Sequence, residues 1–422
     1  MKILFITFFF PPYKTVASIR TGKTAKLLNK MGHEIKVVSA KNKDMHEELE
    51  VEIPLENLYQ TEWFDIDQAI LNFLGKDKAI AKNIIHNRTV KSNFKNKFME
   101  YLFKIYRYFL YTPDKYIGWY KYGLRNSEEI IKDWKPDVIF ASGAPYTGFM
   151  IASKLSKKYK IPFVADLRDL WSDNHSRKQY IIGKYLEYKT LKSASALISV
   201  SEPLVKKLQK KYPNIPCYEV RNAFDKDDYQ INNLCDSDKI SILYTGMMYP
   251  NKQDPTLLFD LISKNKLLKD KIILNFYGNS LEWLSELAKK YEIGDIVNIY
   301  QPIERKKILE LQSKSDILLL FVWNDNKEKG IFTGKFFEYI GNAKPILAIG
   351  ENSNDVLTTT IRENGFGLVS NNPNEITDFI LSIKESINID KYKKSYEKSR
   401  LKFEREYQTN KLIEIFKKVI KK

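Results

Sequence analysis

The 422-residue chain has only two cysteines and four histidines. Cys217 and Cys235 sit outside any CxxC pattern and the histidines are scattered, which excludes a disulfide framework and a zinc site of the usual ligand spacing. Such sparing cysteine use fits a reducing compartment. Nowhere does an apolar run approach the ~20 residues a membrane-spanning helix needs. The apolar start, Met1–Phe10, stops at Pro11-Pro12 without a small-residue cleavage site, so it reads as a buried first strand rather than a leader. Negative charge is in short supply: 52 acidic residues face 69 basic ones, a net +17. An excess of this size points to an acidic partner, whether nucleic acid, anionic membrane or phosphorylated substrate, without choosing among them. No short tandem repeat is present.

Apolar residues, at 43%, are ample for large cores and exclude a disordered chain. At roughly 100–200 residues per domain, the length favours two. Ile3–Phe9 and Glu34–Ser39 are near-continuous apolar runs on either side of a helical stretch, Ile19–Met31. That is the pattern of a βαβ unit whose sheet is covered on both faces. Strands are expected again at Val138–Ser142, Phe163–Asp166, Ala196–Ser201 and Cys217–Val220, with helices over Thr147–Tyr159, Tyr180–Ser193 and Pro203–Lys211. The polar stretch Asn222–Lys239 reads as a linker. A second series follows, with strands at Ile240–Tyr244, Ile272–Tyr277, Val297–Tyr300, Ile317–Phe321, Pro345–Ile349 and Gly367–Val369, and a helix at Lys335–Gly341. The charged end, Lys391–Lys422, reads as one long helix. The fold class is therefore α/β, with two Rossmann-like doubly wound domains.

Six stretches carry chemistry. Pro11-Pro12, Arg20 and Gly32-His33-Glu34 surround the first helix. Pro136-Asp137-Val138-Ile139 runs into Ser142-Gly143-Ala144-Pro145, which places Ser142 and Gly143 at the C-terminal end of a strand, where open α/β sheets bind ligands. Asp166-Leu167-Arg168-Asp169-Leu170-Trp171 puts three charges at the end of another strand, where each needs a partner or a polar ligand. Ser199-Val200-Ser201 precedes Arg221-Asn222-Ala223-Phe224-Asp225, and Tyr244-Thr245-Gly246 precedes Lys252, a point charge suited to phosphate. The sixth stretch is Gly330-Ile331-Phe332-Thr333-Gly334-Lys335-Phe336-Phe337-Glu338. There Thr333 is a suitable N-cap, the glycines permit close backbone approach, and the helix N-terminus and Lys335 favour an anion. Glu338 lies on the same face as Lys335.

These stretches together resemble the family 4 glycosyltransferases of the GT-B fold, over most of the chain and least over residues 42–112. The likeness is greatest to members that build capsule, O-antigen or other surface polysaccharide. The resemblance implies two Rossmann-like domains facing across a cleft. Residues 1–222 would bind the acceptor and 238–397 the nucleotide sugar, and a terminal helix, 398–422, would cross back to the first domain. It further implies a retaining transfer from a UDP- or GDP-sugar to a glycan or lipid-linked acceptor, without an obligatory metal or other cofactor. Gly246, Lys252, the backbone of Gly330, Ile331, Phe332 and Thr333, and Lys335 would hold the diphosphate, and Glu338 the ribose hydroxyls. Arg168 and Asp169 would face the reacting sugars, with Asp169 placed to take the acceptor proton. Pro12, Arg20, Ser142 and Gly143 would line the acceptor side. Departures are visible: Met247 stands where the family has an arginine, Gly330 where it has the first of two glutamates, Ala223 where it has a glycine, and Arg168 near where it often has a histidine. A GT-B nucleotide-sugar 2-epimerase and a non-catalytic GT-B binding protein are the rival readings. Lys95–Tyr122, dense in Lys, Arg, Phe and Tyr, is expected to lie on an anionic membrane, placing the protein in the cytoplasm at the inner face of the cell membrane. No motif for nucleic acid is present.

Overall fold

The computed structural model describes residues 1–41, 43, 47–73, 111–173, 181–229, 238–250, 252–322, 330, 332–350 and 355–421. It divides into two compact units, Met1–Val220 with Lys411–Lys422, and Arg221–Asn410.

The first unit holds β1 (Lys2–Thr7), α1 (Val16–Lys30), β2 (Glu34–Ala40), β3 (Leu58–Thr61), α2 (Ile66–Phe73), α3 (Tyr120–Trp134), β4 (Val138–Gly143), α4 (Thr147–Tyr159), β5 (Phe163–Leu167), α5 (Ile181–Leu191), β6 (Ala196–Ser199), α6 (Glu202–Lys211) and β7 (Cys217–Glu219). Its seven strands are all parallel, in the order β3-β2-β1-β4-β5-β6-β7. The central strands bury both faces, so alternation disappears and the sequence is largely apolar, with polar residues such as Thr7, Ser142 and Asp166 toward the strand ends. Chain order reverses between β1 and β4.

The second unit holds β8 (Ile240–Thr245), α7 (Thr256–Lys264), α8 (Lys266–Lys271), β9 (Ile272–Tyr277), α9 (Trp283–Lys290), β10 (Val297–Tyr300), α10 (Arg305–Lys314), β11 (Ile317–Phe321), α11 (Gly334–Gly341), β12 (Ile346–Ile349), α12 (Val356–Asn364), β13 (Gly367–Val369), α13 (Pro373–Ser382) and α14 (Ser386–Ser399). Six parallel strands run β10-β9-β8-β11-β12-β13, with the reversal between β8 and β11.

Two boundaries differ from the sequence expectation. The end of the chain is not one helix. After α14 comes a 3-10 turn, Arg400–Phe403, then extended Glu404, then α15 (Arg405–Ile420). The break lets Phe403 bury itself against Phe336 and Phe366 in the second unit. Residues 398–410 therefore belong to that unit, and only Lys411 onward joins the first, where Leu412, Ile413 and Phe416 enter the core with Ile3, Phe5 and Phe140. The linker expected at Asn222–Lys239 is packed at its start. Phe224 is buried, its N–H donates to the Phe403 carbonyl at 3.1 Å, and its carbonyl accepts from the Arg405 N–H at 2.7 Å.

Candidate functional site

In the second unit the C-terminal ends of β8 and β11 meet at the reversal of strand order, the place where open α/β sheets leave a crevice. β8 is followed by Gly246, whose φ of +95° suits only a residue without a side chain. A Cβ there would also lie 2.9 Å from Lys335 Cε. The bare glycine thus admits the Lys335 side chain from α11. Lys335 Nζ donates to Tyr244 Oη at 2.8 Å and to the Met247 carbonyl at 3.0 Å, and lies 4.4 Å from the centre of the Tyr244 ring. Burial pushes Lys335 down to about 8, with Glu338 opposing the shift. Burial also holds the Tyr244 phenol well above its ordinary value, so its hydroxyl keeps the proton that it donates to the Met247 carbonyl at 2.9 Å.

One turn along α11, Glu338 points to a different set of partners. Gln312 Nε2 donates to Thr245 Oγ1 at 3.0 Å and reaches Glu338 Oε2 at 3.4 Å, while its own Oε1 accepts from Asn342 Nδ2 at 2.7 Å. Arg305 Nε stands 3.6 Å from Glu338 Oε1, and its Nη1 donates to Asp228 Oδ2 at 3.0 Å. A buried amide and a guanidinium, both from α10, thus aim this half-exposed carboxylate. The start of α11 departs from the capping expected. Thr333 occupies the N-cap position with extended backbone, yet its hydroxyl makes no capping bond. Among the described residues its buried oxygen has no hydrogen-bond partner. No acidic residue lies in the first turn, so the donors and dipole of this helix end are not offset by a carboxylate there.

Gly330, at φ +99°, turns its N–H toward Asp355, whose carboxyl is raised by burial and lowered in part by the N–H groups of Leu357, Val356 and Gly330. Phe332 stacks on Phe336 with centroids 5.3 Å apart, so its ring serves the core. Lys252 is half-buried in the turn that follows Gly246, its N–H on the Tyr249 carbonyl at 2.9 Å. Ile331 lies outside the described residues.

In the first unit the cluster expected to line an acceptor surface is partly a buried brace. The sheet register sets Ser142 beside Asp166. Arg20 Nε and Nη2 donate to the two Asp166 oxygens at 3.1 and 2.9 Å, Ser142 Oγ donates to Oδ2 at 2.8 Å, and Arg20 Nη2 also donates to the Val220 carbonyl at 3.0 Å. Arg20, Ser142 and Asp166 are all buried, where a charge has to be paired, and their bonds tie α1 to β4, β5 and the residue after β7. Arg168 is likewise turned to backbone: its Nε donates to the Gly143 carbonyl at 3.2 Å and its Nη2 to that of Ala144. Burial lowers its pKa, Asp166 acting against the shift. Gly143 is buried against the Phe149 ring, and the Pro12 carbonyl accepts from the N–H groups of Glu48 and Leu49, both at 3.0 Å. Asp169 alone of the DLRD charges is exposed. The N-terminus of α4, beside the strand reversal, is occupied from within. Asp114 accepts from the N–H of Tyr146 at 2.6 Å, from the N–H and hydroxyl of Thr147 at 3.0 Å each, and from the N–H of Tyr116 at 2.9 Å. Thr15 caps α1 in the same way, accepting from the Ser18 N–H at 2.9 Å. Among the described residues the two units therefore differ: the helix ends at the first reversal are closed by side chains, and that of α11 at the second is not. Among the described residues no group of three His, Cys, Asp or Glu is arranged to hold a metal ion.

Residues 18–228, half of the chain, match the family model Glycosyltransferase Family 4. The chain belongs to glycosyltransferase family 4. No curated protein matches this family 4 chain. Its fold, two Rossmann-like sheets of parallel strands with their helices, is that of GT-B glycosyltransferase structures. A glycosyltransferase from Rickettsia africae is 18% identical, with a TM-score of 0.62 over 100% of this chain and 98% of that one. S. aureus TarM, in a mutant form complexed with fondaparinux, α-GlcNAc-glycerol and UDP, is 11% identical, with a TM-score of 0.58 over 99% and 100%. HepE from Anabaena, in complex with UDP-glucose, is 12% identical, with a TM-score of 0.55 over 100% and 98%.

Proposed function

We propose that this family 4 chain is a retaining glycosyltransferase that moves a sugar from a UDP- or GDP-sugar to a glycan or lipid-linked acceptor in surface-polysaccharide synthesis. The observation that carries the reading is the pairing, on one short helix, of an N-terminus that no side chain caps among the described residues and a carboxylate oriented by Gln312 and Arg305. The first feature suits a diphosphate and the second a pair of vicinal hydroxyls. Lys335 supplies the cation beside that helix end, and so takes over the place left by Met247. The Gly246 loop carries Lys252 as a second positive charge.

In this reading Glu338 accepts hydrogen bonds from the ribose hydroxyls. The first turn of α11, including the free Thr333 hydroxyl, donates to the diphosphate and stabilises the charge that grows on it as the glycosidic bond to phosphate breaks. Asp169, the exposed acid of the Asp166–Asp169 stretch, accepts the proton of the incoming hydroxyl. Arg168 holds the Gly143-Ala144 loop that shapes the acceptor side. No protein-bound cofactor is invoked. TarM and HepE, crystallised with UDP and UDP-glucose, support a nucleotide-sugar donor.

The test is a transfer reaction with UDP- and GDP-sugars and a lipid-linked glycan fraction. Release of nucleoside diphosphate in step with a new glycoside of unchanged anomeric configuration is expected. Conversion of the donor to its epimer without acceptor would instead identify an epimerase, and failure to bind any nucleotide sugar a non-catalytic protein.

A further inference from the structure

The stretch Lys95–Tyr122 reads in the sequence as the membrane-facing part, but residues 95–110 lie outside the described residues. Of the rest, Trp119 is fully buried and Tyr116 packs 4.2 Å from the Phe8 ring. Those aromatics serve the core. A different helix of the first unit shows the opposite behaviour. Along α5, Ile181, Tyr185 and Tyr188 are 83%, 60% and 55% exposed, at i, i+4 and i+7, so they form one stripe. Lysines flank it. Lys189 Nζ lies 5.8 Å from the Tyr185 ring and Lys192 Nζ 5.6 Å from that of Tyr188, while Lys184 is exposed beside them.

From the neighbouring helix α4, Lys154 and Lys157 add to the same field. Lys157 is lowered by burial first, then by Lys192, Lys189 and Lys154, which means that positive charges crowd here. Among the described residues no carboxylate pairs with any of these five lysines. The single acid of α5, Glu187, is turned inward, where it accepts from Lys211 Nζ at 2.8 Å. Burying Ile and Tyr in an acyl boundary while lysines meet phosphate groups is the behaviour of an interfacial helix, and a soluble polyanion would gain little from the apolar stripe. We infer that the exposed face of α5 docks this protein on a bilayer bearing anionic phospholipid. The inference stands apart from the transferase reading, since it concerns no residue of the proposed donor site.

Co-sedimentation with vesicles tests it. The full chain is expected to pellet with mixed phosphatidylcholine–phosphatidylglycerol vesicles and to stay in solution with phosphatidylcholine alone. The pair Tyr185→Ser and Tyr188→Ser should abolish most of that binding. Replacing Lys184, Lys189 and Lys192 by Gln should weaken it roughly fivefold per lysine and flatten its salt dependence. All five side chains are exposed or half-exposed, and unchanged cooperative thermal unfolding would show that the variants fold. Undiminished vesicle binding by either set overturns the inference. So does capture by polyphosphate or single-stranded DNA that survives the Tyr→Ser changes while vesicles do not bind. A dimer that forms without lipid and is lost on Tyr→Ser would assign the face to a second copy of this chain and overturn it equally.

Discussion

Lys335 and Glu338 stand three residues apart on α11 and do not pair. The ammonium reaches back to Tyr244 and the Met247 carbonyl, whereas the carboxylate turns to Gln312 and Arg305. A simple surface ion pair at this spacing would have joined them. Each is instead held for its own use: the cation lies under the Gly246 turn, and the acid on the α10 side. Replacing Lys335 by Met removes a charge whose burial is already unfavourable. The variant should unfold at the same temperature as the parent or higher, while its affinity for UDP or GDP falls by about 2 kcal/mol, the scale of one charge-assisted hydrogen bond. Calorimetric titration alongside a melting curve measures both.

The same lysine sets a pH dependence. Its pKa in the folded protein is about 8, below the 10.5 of a free lysine. Folding therefore disfavours its protonated form. The resulting penalty is fully present below about pH 8 and is relieved as the pH rises toward 10.5. Diphosphate binding favours the protonated form and so requires a proton uptake above pH 8. Nucleotide affinity should be flat from pH 6.5 to 7.5 and fall by up to about tenfold per unit above 8, a slope that Lys335→Met removes.

Arg20 illustrates a residue whose role changes with the structure at hand. Its pairing with Asp166 and the Val220 carbonyl predicts a loss of about 3–5 kcal/mol of stability for Arg20→Ala, because the buried Asp166 carboxylate then loses its counter-charge. Denaturant unfolding should show that loss. The simultaneous change of Arg20 to Met and Asp166 to Leu should recover part of it.

Asp114 predicts a smaller and local effect. Asp114→Ala leaves the N–H groups of Tyr146 and Thr147 without an acceptor and should cost about 1–3 kcal/mol. Burial raises the Asp114 pKa despite those four bonds, so its carboxylate protonates earlier than an exposed one as the pH falls. Hydrogen exchange at the first turn of α4 should quicken in the variant and remain unchanged on α11.

The strands were legible because each is a short apolar run between turn residues, and a parallel sheet buried on both faces writes itself that way. Glu338, Lys335 and Gly246 were legible because they sit in compact stretches whose spacing speaks of a strand end or a helix start. Arg305 and Gln312 were not. They are two polar residues among many on α10, and what gives them a role is a meeting with Glu338 26 and more residues away in the chain. Arg20 and Ser142 read as lining the acceptor side because nothing local announces that both will pair with the buried Asp166, 146 residues from Arg20. The continuous terminal helix failed for a similar reason, since the burial of Phe403 depends on Phe336 and Phe366.

The central claim is that Glu338 and the start of α11 hold a nucleoside diphosphate. Melting curves with UDP, GDP and their sugars, for the parent chain and for Glu338→Ala, test it most directly. One nucleotide should raise the parent's melting temperature in proportion to the logarithm of its concentration, and Glu338→Ala, folded in its absence, should lose that rise. An equal rise in both proteins, or none in the parent with any nucleotide, would contradict it.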